Sequence, residues 1–87
     1  MKTIWKYNIQ PVTTLLLPED AQFLSVQLQG EDACMWFLVN DQKPKVRRVF
    51  HAYGTGHIVS DHPGKFLGTV QFNGGSLVFH IFEEDNR

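Results

Sequence analysis

No stretch of this chain repeats apolar residues at the 3.6-residue spacing of a helix. Instead, seven short runs rich in β-branched and aromatic residues follow one another at fairly regular spacing. That pattern restricts the fold to an all-β domain, a small antiparallel sandwich or partly open barrel of about seven strands. The runs are Thr3–Ile9, Val12–Leu17, Phe23–Gln29, Cys34–Val39, Val46–Tyr53, Lys65–Phe72 and Ser76–Glu83. Two of them alternate cleanly. Trp5, Tyr7 and Ile9 share one face of the first, and Leu24, Val26 and Leu28 share one face of the third. Two others, Cys34–Val39 and Leu77–Phe82, are apolar on both faces. Strands of that kind are expected in central positions and among the most buried segments, between two layers or against another copy of the chain.

Turn chemistry punctuates the runs. Pro18-Glu19-Asp20 presets a turn, Gly30-Glu31-Asp32-Ala33 fits a hairpin, and Asn40–Lys45 is a polar loop containing Pro44. Gly68 interrupts the sixth run and predicts a bulge or a close backbone approach. The longest irregular stretch is Gly54–Gly64. The 87 residues make one domain, residues 1–87, with residues 83–87 expected to fray.

A core of this size is near the lower limit for independent stability, which disulfides, metal or assembly can offset. Cys34 is the single cysteine, so no internal disulfide forms, and a homo-oligomer is expected. A net charge of −1 gives no field favouring duplex nucleic acid or an anionic membrane. The start, Met1–Asn8, has no apolar signal-peptide core, no run is long enough to span a bilayer, and the lone thiol suits a reducing cytoplasm.

Candidate chemistry concentrates in one region. In Tyr53-Gly54-Thr55-Gly56-His57, glycines flank Thr55 and permit positive φ, a geometry that exposes backbone N–H groups to an anion. No helix follows and no lysine–serine pair completes a phosphate loop, so a steric turn is the plainer reading. Lys43, Lys45, Arg47 and Arg48 lie within six positions. On a strand, Arg47 shares a face with His51 and Tyr53, while Arg48 shares the other with Phe50 and Ala52. Positive charge there blunts a sheet edge, or else Arg47, Arg48 and His51 join the glycine loop in an anion site with Tyr53 or Phe50 stacking on the ligand. Of the four histidines, His51, His57 and His62 flank the loop without a metal-ligand spacing, and His80 sits in an apolar strand. Neither a metal nor a cofactor is expected. Ser60, Asp61 and His62 are adjacent in sequence, which seldom makes a triad in space, and Cys34 lies in an apolar run. A catalytic role is therefore not expected.

Three segments together, Met1–Tyr7, Tyr53–His57 and Phe72–Phe82, resemble a group of short phage and prophage proteins of unknown function. That group has no established functional residues to carry over. The resemblance implies a prophage source, the cytoplasm of a bacterial host as the setting, and an accessory protein acting by contact with a host or phage protein. The alternative is a small-ligand binder that holds an anionic, nucleotide-like molecule near Gly54–His57, using Arg47, Arg48, His51, Tyr53, Gly54, Thr55, Gly56 and His57.

Overall fold

The computed structural model describes residues 1–85. Seven strands form: β1 (Lys2–Asn8), β2 (Val12–Pro18), β3 (Gln22–Gln29), β4 (Asp32–Asn40), β5 (Lys45–Gly54), β6 (Lys65–Phe72) and β7 (Leu77–Glu83). The only helical turn among the described residues is a short 3₁₀ segment, Asn73–Gly75. The strands divide into a three-stranded sheet, β1-β4-β3, and a four-stranded sheet, β2-β5-β7-β6, with every pairing antiparallel. The sheets do not close into a barrel, which settles the architecture as a sandwich.

The core lies between the sheets. Leu17, Met35, Phe37, Val39, Phe50 and Ile81 are buried there, with Phe37 at the centre. Its ring meets Tyr7, Phe23 and Phe50 at centroid distances of 6.1, 5.8 and 5.8 Å, edge-on to the first two. Such offset geometry is preferred over face-to-face stacking because ring edges and faces carry opposite partial charge. Burial also raises the Tyr7 phenol above its ordinary 10.0.

Both doubly apolar runs take internal positions, β4 between β1 and β3 and β7 between β5 and β6. Their burial differs. In β4, Cys34, Met35, Phe37 and Val39 are buried, as expected. In β7 only Ile81 is, and Val78, His80 and Phe82 of its other face are half-buried. A sandwich strand contacts the opposite sheet with one face only, so the second apolar face of β7 lies on the outside of the molecule.

Gly68 marks a register shift between Phe66 and Gly68. A Cβ there would come within 2.5 Å of Val26 Cγ1, so the missing side chain lets β6 approach β3 across the sandwich. The chain end also departs from expectation. Glu83 belongs to β7, and the Glu84 N–H donates to the Val49 carbonyl at 2.8 Å, so order extends past the start of the expected tail. Asn86 and Arg87 lie outside the described residues.

Candidate functional site

Pairing in the four-stranded sheet lines up one row of side chains across its outer face. Val12 lies opposite His51, His51 opposite Phe82, and Phe82 opposite Phe66. A second row holds Tyr53, His80 and Thr69. Directly opposed residues of an antiparallel pair project to the same side, so these seven form a continuous outer surface. His51 stacks on Tyr53 at 5.8 Å and 13°, Tyr53 meets Phe82 edge-on at 5.8 Å, and Phe82 meets Phe66 at 5.3 Å. His51 Nε2 is 2.6 Å from Glu84 Oε2, which fixes the imidazole plane over the sheet.

The second row is held by hydroxyls. His80 Nε2 is 2.8 Å from Thr55 Oγ1 and His80 Nδ1 is 3.0 Å from Thr69 Oγ1. A threonine hydroxyl can donate or accept, so either tautomer of His80 is satisfied. The contact to Thr55 joins the outer face to the glycine loop.

That loop is a closed turn. The His57 N–H donates to the Gly54 carbonyl at 3.0 Å, and the Thr55 N–H donates to the Val78 carbonyl at 3.1 Å. Gly56 has φ +87°, the left-handed region that favours glycine. At Gly54 the His57 ring folds back over the backbone, its Cε1 2.6 Å from where a Cβ would stand, so a side chain there would displace that exposed ring. Together with the neighbouring turn at Gly75 and Ser76, the loop encloses a surface pocket of about 300 Å³ lined by Gly54, Thr55, His57 and residues 75–79.

The remaining candidates do not join it. Arg48 points inward. Its Nε and Nη2 donate to the two carboxylate oxygens of Glu83 at 2.5 and 2.7 Å, its Nη1 donates to the Ala21 carbonyl at 2.8 Å, and its guanidinium lies over Phe37 and Phe50. Its donors are spent inside the sandwich. Arg47 is exposed on the outer face opposite Leu16, seven positions from Gly54 on β5 and so about 23 Å away at the rise of an extended strand. Of the expected backbone donors, that of Thr55 is committed to Val78. The structure therefore gathers Gly54, Thr55 and His57 at the pocket, with Gly56 at the tip of the same turn. It gathers His51 and Tyr53 on the adjoining face and separates both arginines from the pocket.

Sequence reading missed five members of this surface: Val12, Phe66, Thr69, Phe82 and the bridging His80. The alternation of β7 placed His80 and Phe82 on one face, but pairing with β5 decides which neighbours they meet. No three His, Cys, Asp or Glu side chains converge on a metal-sized site among the described residues.

The fold and surface define a small all-β sandwich domain with an aromatic outer sheet face. Across residues 1–87 the chain matches the family described as a domain of unknown function (DUF7352), and it belongs to that family. No curated protein and no solved structure matches it.

Proposed function

We propose that the protein is a non-catalytic interaction protein that binds another protein through the outer face of its four-stranded sheet, and that it self-associates through the same face when that partner is absent. One observation carries the reading: large apolar side chains stand in water on this side of the molecule. Val12 is 56%, Leu16 63% and Phe66 54% exposed, beside the half-buried Tyr53 and Phe82. Ile58, in the loop that leads from β5 to β6, is 96% exposed. Clustered apolar exposure on a small domain is characteristic of interaction surfaces. The resemblance to short phage and prophage proteins supports a host or phage protein as the partner, met in the bacterial cytoplasm.

The test is site-specific photocrosslinking in bacterial cells, with a reactive side chain placed at Leu16 or Ile58 and, as control, at Gln27 on the other sheet. A discrete adduct from the first two positions and none from Gln27 is expected. Adducts of the same pattern from all three positions, or from none, would overturn the reading.

The pocket at Gly54–His57 supports a second reading, that of a small-ligand binder for an anionic, nucleotide-like molecule. Its support is the surface pocket itself and the His57 and Ser76 side chains, since neither arginine reaches it. Nucleotides should raise the melting temperature and His57→Ala should remove the gain. A panel that leaves melting unchanged removes this alternative.

A further inference from the structure

The sandwich core tapers toward one end. The inward positions of β4 run Val39, Phe37, Met35, Ala33, and those of β5 run Arg48, Phe50, Ala52. Large side chains fill the space between the sheets as far as Met35 and Phe50. Beyond them β4 and β5 each contribute only an alanine, yet sheets in a sandwich stay about 10 Å apart. The result is a pocket of about 120 Å³ roofed by Ile9 and Pro11 and walled by Ala33, Ala52, Phe72 and Phe79.

Two features separate this pocket from loose packing. Its roof is fixed: the Ile9 N–H donates to the Ala33 carbonyl at 2.9 Å, and the Ala52 N–H donates to the Pro11 carbonyl at 3.0 Å. The link β1–β2 is thereby tied to both sheets at once. The backbone polar groups of Gln10 at the roof are also already paired. The Gln10 N–H donates to Thr13 Oγ1 at 2.9 Å, and the Thr13 hydroxyl donates to the Gln10 carbonyl at 3.3 Å. Thr13 is itself buried. A polar ligand entering here would lose its water and find these roof groups occupied, which is costly. Phe72 and Phe79, edge-on at 5.9 Å, present an aromatic wall.

We propose that this pocket is a binding site for a small, uncharged, apolar ligand of one ring or about six carbons. The size argument is direct, because apolar cavities of about 150 Å³ accept benzene. The chemical argument is the lining: of the side chains around the pocket, only Gln10 is polar, and none carries a charge. The site lies between the sheets rather than on the outer face, and it shares only Phe79 with the Gly54–His57 pocket, so it stands whether or not the proposed protein contact exists.

Benzene and benzoate titrations followed by NMR test it. Benzene should give saturable shifts confined to Ala33, Ala52, Phe79 and their neighbours. Benzoate should bind at least about tenfold more weakly, since its carboxylate would be buried without a partner. Ala52→Leu fills the pocket from one side and Ala33→Val from the other. Either variant that melts at or above the wild-type temperature should lose benzene binding at least about tenfold. Should neither variant fold, the wild-type titrations decide alone. The proposal is overturned by shifts that do not saturate, by shifts that map to Tyr53, Phe66 and Phe82, by equal binding of benzoate, or by a folded variant that binds benzene as tightly as wild type.

Discussion

Arg48 carries a charge into a place where its sequence neighbours would put an apolar group. It survives there because each guanidinium nitrogen has a partner: Glu83 accepts from two, the Ala21 carbonyl from the third, and two aromatic rings lie against the guanidinium. The pair is only 16% and 15% exposed, so solvent screens it weakly. Removing one member leaves the other charged and half-dry, at a cost of about 3–5 kcal/mol. Removing both lifts that penalty. Arg48→Ala is therefore expected to be destabilised by that amount in urea melts, while Arg48→Met combined with Glu83→Leu stays within about 2 kcal/mol of wild type, the remainder being the donor lost by Ala21. A double variant as unstable as the single one would show that the ion pair itself, rather than the stranded charge, holds the sheets together. Half of this was legible. Alternation along β5 puts Arg48 on the face of Phe50 and Ala52, which is inward. Its partner was not, because Glu83 comes into register with Phe50 only through the β5–β7 pairing, which closes across more than thirty residues of chain.

At the level of elements, the crossover from β5 to β6 does the least obvious work. β5 ends opposite Phe79 and β6 begins opposite Glu83, so residues 55–64 must travel the length of β7 to connect two parallel neighbours of the same strand. Gly64 is where that connection lands. It has φ +89°, and a Cβ there would lie 1.9 Å from the Glu83 carbonyl oxygen, so backbone rather than a flexible side chain blocks substitution. Gly64→Ala would push the loop away from the end of β7, and with it the Glu84 contacts to Val49 and His51. Positive-φ strain and overpacking each contribute about 1–3 kcal/mol. A loss of about 3 kcal/mol is expected, or roughly 12–24 °C in melting temperature for a domain this small. Gly30→Ala separates the two causes: φ is +63°, but nothing lies within 4 Å of the added Cβ. It should lose only the strain share. Equal losses at both positions would mean that the contact at Gly64 relaxes freely. The irregular composition of residues 54–64 announced a loop, and Gly54-Thr55-Gly56-His57 announced its turn. The sequence did not carry the loop's destination, since that depends on which strand lies between β5 and β6.

For the molecule as a whole, the two outer faces differ in how they are finished. On the three-stranded sheet, the Lys6 ammonium of β1 reaches across β4, where Trp36 lies opposite it, to donate to Gln29 Oε1 of β3 at 2.5 Å. Cys34 is 1% exposed although it belongs to the outward set with Trp36 and Leu38. Ile4 of β1 and Leu24 of β3 are the large apolar side chains left exposed within that sheet. The four-stranded face leaves Val12 and Leu16 exposed, and it carries both an exposed cation, Arg47, and an anion, Glu84. A face bearing both signs can meet its own copy with opposite charges opposed. Self-association is therefore expected through the four-stranded sheet. Sedimentation at increasing concentration should show a dimer, Leu16→Glu should restore the monomer with little change in melting temperature, and Ile4→Glu should leave the dimer intact. A dimer lost on Ile4→Glu and kept on Leu16→Glu would move the interface to the other sheet. A monomer at every concentration would leave the apolar face to a foreign partner alone.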